Sequence, residues 1–217
     1  MGGMYGVLVF DHTAVLRHRF AIKVGDSGFQ WSTSSPSLTV NDNNKVLVLG
    51  KRRILAGYCQ SVVDVFETDG QFVRTFGEGI LMNASDITAG NEGRVMVVDG
   101  EDHVFVHVFS EQGEHLLKEK LSKFEVGGTL DHKIAFHPAS EHVIVARIET
   151  RKRPLCLLIL TNNGKFVRST ELTFEHDEDE DEDDGLQGIS VTSEGRIVVC
   201  LGPMDSDNNS PAKVLVV

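Results

Sequence analysis

Nine histidines are the first place to look for chemistry in this chain. His132, His137 and His142 recur at every fifth residue, a spacing that invites a metal reading. The apolar runs around them argue against it. His132 should precede a strand, His137 end it and His142 open the next, so the three rings have no common target. His103 and His107 lie four apart on an extended segment, which separates them by ~13 Å, too far to share one zinc ion. Gly-x-Ser-x-Gly, phosphate-loop and Cys-x-x-Cys patterns are absent. Of three cysteines, Cys156 and Cys200 sit in apolar runs and read as small core hydrophobes. Cys59 falls in an expected loop, with no histidine beside it to activate its thiol. No catalytic group, metal or cofactor is expected from these residues.

Charge is distributed unevenly. The net charge is −11, yet nine acids crowd into one run: Glu175, Asp177, Glu178, Asp179, Glu180, Asp181, Glu182, Asp183 and Asp184. Without them, 23 acids stand against 21 Lys and Arg, so the remainder is nearly neutral. Such a run reads as a solvated loop whose charges repel one another. It lacks the central glycine and closing glutamate of a calcium loop. Two basic clusters, Lys51-Arg52-Arg53 and Arg151-Lys152-Arg153, offer phosphate contacts. Tyr58 is the sole nearby aromatic that could stack on a base.

The elements that must carry these residues repeat. Short apolar runs begin at Lys45, Arg94, His142 and Arg196, and the matched positions Val46, Val95, Val143 and Ile197 lie 49, 48 and 54 residues apart. Each is followed by a second β-rich run closed by a glycine-bearing turn: Val63–Gly70, Val106–Gly113 and Leu158–Gly164. Four strands per period of this size predict propeller blades, which bury their apolar faces by stacking on one another. The expected segments are 1–28 (the last two strands of a blade), 29–80, 81–121 and 122–175 (three blades), and 176–217 (the acidic loop and an incomplete blade). That gives about seventeen strands, fewer than a six-bladed ring holds. The long links Gly50–Ser61, Glu149–Pro154, Glu175–Gly185 and Gly202–Ala212 should share one face, opposite a face of plain turns.

The stretch Pro36 to Gly77 resembles an NHL repeat. It has a proline-bearing first strand, then a strand ending in phenylalanine, a glycine turn and Phe72-x-x-x-Phe76-Gly77. Val97-Val98-Asp99-Gly100-Glu101-Asp102-His103 is similar to the family's aspartate-to-histidine link, with Val104 where an arginine is usual. The later units rest on strand pattern more than motif. The resemblance implies an all-β, partial NHL-type propeller of about four four-stranded antiparallel blades, similar to the C-terminal region of animal TRIM-NHL proteins. It also implies a non-catalytic module for protein partners, the substrate-recognition end of a ubiquitin ligase whose zinc-binding RING this chain lacks. Two other functions stay open. Some relatives bind RNA through a basic face, which the acidic run here disfavours. Some propellers are lyases or lactonases with a metal in the central channel, which needs acidic or imidazole side chains on several inner strands. No run reaches the ~18 apolar residues of a membrane helix, and no secretory signal is evident. The odd cysteine count suits a reducing compartment, so a cytoplasmic location is expected. The missing blades are expected from a longer parent chain or from self-association.

Overall fold

The computed structural model describes residues 5–11, 13–22, 36–53, 59–100, 103–121, 130–149, 154–173, 184–203 and 212–217. Five antiparallel sheets follow one another along the chain. The first pairs β1 (Tyr5–Phe10) with β2 (Leu16–Ile22). Three four-stranded meanders come next. They are β3 (Ser37–Val40) to β6 (Phe72–Phe76), β7 (Ala84–Ala89) to β10 (His115–Lys120), and β11 (Leu130–His137) to β14 (Phe166–Leu172). Their middle strands are β4 (Val46–Arg53), β5 (Cys59–Phe66), β8 (Val95–Asp99), β9 (Phe105–Phe109), β12 (His142–Glu149) and β13 (Leu155–Thr161). The last sheet holds β15 (Asp184–Val191), β16 (Ile197–Pro203) and β17 (Lys213–Val216). Helix is limited to one 3-10 turn, Asn91–Gly93, among the described residues. Among the described residues no helix is long and apolar enough to cross a membrane.

The middle strands read as unbroken apolar runs because they are covered on both faces. Val95 to Asp99 is buried at every position. Four separate cores result, one at each junction between successive sheets. Val7 and Ile22 meet Val46 and Val48, and Leu47 and Val63 meet Val95 and Phe109. Met96 and Val106 meet Val143 and Leu158, and Ile144 and Leu157 meet Val199 and Leu201. This is the stacked-blade arrangement of a propeller.

Hairpin turns lock each blade to the one before. Gly113 has φ +87°, and a Cβ there would lie 2.6 Å from the Cβ of Phe76 on the preceding blade. The turn therefore needs glycine for its conformation and for its close approach. Polar contacts join blades on the face of the first-to-second-strand links. Asn43 donates to Glu111, Asn91 donates to Glu141 at 3.1 Å, and the His137 ring meets the Gly195 carbonyl at 2.8 Å.

Candidate functional site

Among the described residues each blade's first strand pairs on one side only, and its other edge lies toward the axis around which the blades stack. β3, β7, β11 and β15 together line a cavity of about 650 Å³. Ser37, Thr39, Asp86, Thr88, Lys133 and Gln187 are its main polar side-chain bearers. The free edges of these strands leave backbone N–H groups to be satisfied, and neighbouring blades supply acceptors. Ala89 N–H donates to Thr39 Oγ1 at 3.3 Å. Ile134 N–H donates to Asp86 Oδ2 at 2.8 Å, while the Ser37 hydroxyl donates to Asp86 Oδ1. One nearly buried carboxylate on β7 thus ties together the inner strands of three successive blades and borders the cavity. Asp86 is the sole acidic residue, and Lys133 the sole basic one, among the described residues lining it.

Neither Asp86 nor Lys133 was singled out by sequence. The signal was one or two polar residues on each first strand, too sparse to stand out from ordinary strand alternation. A channel metal of the kind some propeller lyases and lactonases hold does not fit these residues. No three metal-ligating side chains converge among the described residues, and Asp86 is the one carboxylate, with no histidine beside it, among those lining the cavity.

The residues singled out by sequence are placed differently. Lys51, Arg52 and Arg53 are not in a loop. β4 runs through all three and pairs Arg53 with Cys59, which opens β5 and so is also in a strand. A basic triplet reads as a loop by polarity, but extra pairing at the end of a two-strand ladder extends both strands. Lys51 donates to Asn83 on the link to the next blade, and Arg52 lies 3.7 Å from Glu78 on that link. These two cations thus brace a blade junction. Burial pushes the nearby Asp64 carboxyl above its usual range, while a Thr75 hydrogen bond and the Arg52 charge pull it back. Tyr58, Arg151, Lys152, Arg153 and the acidic run from Glu175 through Asp183 lie outside the described residues; Asp184 opens β15.

The histidines separate as well. His132 lies within β11 rather than before it, opposite Arg147 on β12 and buried, whereas His137 and His142 face each other at the hairpin end. His107 is buried between Asp99 and His115: its Nε2 lies 3.5 Å from Asp99 Oδ2 and its Nδ1 lies 3.1 Å from His115 Nε2. Asp99 also accepts from Asn83 N–H at 2.7 Å, pinning the inter-blade link. Burial drives the His107 pKa down to about 4, with Asp99 acting in the opposite sense. Cys156 is a half-buried free thiol pushed up by burial, with Arg147 opposing the shift and Glu171 reinforcing it. That suits an unreactive core residue.

No protein-family model and no curated protein matches the chain. Solved structures do. An endo-arabinase from Bacteroides thetaiotaomicron superposes with a TM-score of 0.54 at 12% identity, covering 91% of this chain and 80% of that one. A glycoside hydrolase with endo-xylanase and exo-arabinofuranosidase activity gives 0.55 at 9% identity, over 91% of this chain and 45% of that one. An inactive virginiamycin B lyase from Staphylococcus aureus, solved with quinupristin, gives 0.50 at 12% identity, over 99% and 60%. The fold is a β-propeller. NHL and TRIM proteins are not among these neighbours, and the expectation of a non-catalytic chain is corrected: the scaffold it shares is, in these proteins, the scaffold of hydrolases and a lyase.

Proposed function

We propose that this chain is a propeller enzyme that opens an ester or lactone of a small hydroxylated molecule held in the channel cavity. Its scaffold is of NHL type on the strength of Pro36 to Gly77. The observation that carries the reading is Asp86, a carboxylate fixed across three blades at the cavity wall. The neighbours of this fold that cleave glycosides or act as a lyase support an enzyme over a passive module. The charged groups narrow the chemistry. Glycoside cleavage ordinarily takes two carboxylates flanking the bond, and one lines this cavity among the described residues. One carboxylate and one ammonium suit acyl chemistry. Asp86 accepts a proton from the attacking water, Lys133 steadies the negative charge on the carbonyl oxygen, and the proton then passes to the departing alkoxide. Ester and water become acid and alcohol, with no other reactant needed.

Proton release would be followed titrimetrically over a panel of sugar lactones, acyl esters and aryl glycosides. Lactone or ester turnover is expected. Asp86→Asn should lower kcat by at least about 100-fold, and Lys133→Met should lower it with KM less affected. Each variant needs a β-sheet circular dichroism spectrum matching the parent. Turnover of glycosides alone, no turnover of any acyl substrate, or a fully active Asp86→Asn would overturn the reading.

A further inference from the structure

The fourth strands share a pattern that the channel does not use. Each carries, at or near its start, exposed apolar residues ahead of a base: Leu16 before Arg17, Phe72-Val73 before Arg74, Leu116 two before Lys118, and Phe166-Val167 before Arg168. Across β2, β6, β10 and β14 there are six Lys or Arg against two acids, in a chain whose net charge is −11. The outer rim is therefore a basic and apolar belt on an acidic protein.

Three of the four motifs are already committed. Arg17 pairs with Asp11 at 2.5 Å, Arg74 donates to the backbone carbonyl of Glu111, and Lys118 sits 3.9 Å from the centre of the Phe105 ring. β14 differs. Arg168, and Lys165 in the turn before it, have no side-chain partner among the described residues. Phe166 through Glu171 are exposed at every position, and among the described residues this strand enters a blade junction at Leu172. β14 is also the last strand of its sheet, with one edge unpaired among the described residues.

We infer that the outer edge of β14 takes an extended, acidic peptide segment carrying apolar residues, which adds as a fifth strand to the blade. Strand addition to a free edge draws affinity from main-chain hydrogen bonds and specificity from alternate side chains. Here Phe166 and Val167 meet the apolar residues, and Lys165 and Arg168 meet the carboxylates. Charge at an edge guards it against a second copy of the same strand, but the same positive charge attracts an acidic one. Ser169 and Thr170 add β-compatible residues to the pairing register.

The probe is a fluorescein-labelled peptide of about ten residues, alternating glutamate and valine around one phenylalanine, followed by fluorescence polarisation. Binding is expected, weakening at least about tenfold between about 0.05 M and about 0.5 M salt as charge is screened. Lys165→Glu with Arg168→Glu should weaken it comparably, while Arg19→Glu on β2 should leave it unchanged. These side chains are exposed, so thermal midpoints should hold. N-methylation of alternate peptide residues should abolish binding, which separates edge pairing from general attraction. No binding at millimolar peptide, indifference to the double substitution, or indifference to N-methylation would each overturn the inference. So would stronger binding of an RNA oligomer of equal charge that is lost on the same substitutions. A failure here leaves the channel reading intact, since none of these residues lines the cavity.

Discussion

His107 is where a single residue sets the response of the molecule to acid. Its ring is 1% exposed and its pKa falls from the ordinary 6.5 to about 4, chiefly through burial. As the pH drops below 6.5, the unfolded chain takes up a proton that the folded chain refuses until about 4. The stability tied to neutral His107 is therefore complete above 6.5 and is lost progressively as the pH falls toward 4. The full excursion is worth roughly 3 kcal/mol. The charges facing the ring are Asp99 on β8, which favours the proton, and His115 and Lys118 on β10, which oppose it. Urea unfolding at pH 7 and at pH 4.5 should show the loss. In His107→Gln, which cannot titrate, the difference between the two pH values should shrink by most of that amount. An unchanged difference would mean that other groups govern the acid limb.

At the scale of elements, the hairpin turns do two jobs, and comparing Gly113 of a hairpin with Gly79 of an inter-blade link separates them. Gly79 and Gly113 both have positive φ, but a Cβ at Gly79 meets nothing within 4 Å whereas one at Gly113 strikes Phe76. Gly79→Ala should cost about 1 kcal/mol, the backbone term alone. Gly113→Ala should cost about 2 kcal/mol more, because two blades must part to admit the methyl. Equal losses in denaturant titrations would show that the blade contact carries little energy. These turns were legible in the sequence because a tight hairpin and a close blade contact both demand glycine at one fixed offset. Runs such as Val95 to Val98 were legible because burial on both faces leaves no polar position to blur them. The cavity was not. It draws one or two polar residues from each of four first strands, and Asp86 acquires its partners Ser37 and Ile134 from 49 and 48 residues away. The triplet Lys51 to Arg53 misled for a related reason, since its charges are spent on Asn83 and Glu78 of another element.

For the whole molecule, what matters is how the arc of blades ends. Interior blades meet neighbours on both faces, and their middle strands are almost fully buried. The outer faces of the terminal sheets have no such cover among the described residues. Leu8 and Phe10 on β1 are 51% and 53% exposed, and Val214 and Val216 on β17 are 61% and 58% exposed. Contiguous apolar surface on a stacking face, with strand edges alongside it, favours association. The 217-residue chain studied alone should therefore self-associate in a concentration-dependent way, visible by sedimentation velocity. Because the contact is apolar, added salt should not dissolve it, unlike the charge-driven binding expected at β14. Leu8→Glu combined with Val216→Glu should shift the population toward monomer while leaving β-sheet content unchanged, since both side chains are exposed and neither belongs to a blade core. A monodisperse wild-type monomer at high concentration would show that these faces are covered within one chain. The ring would then close on fewer blades than the stacking implies.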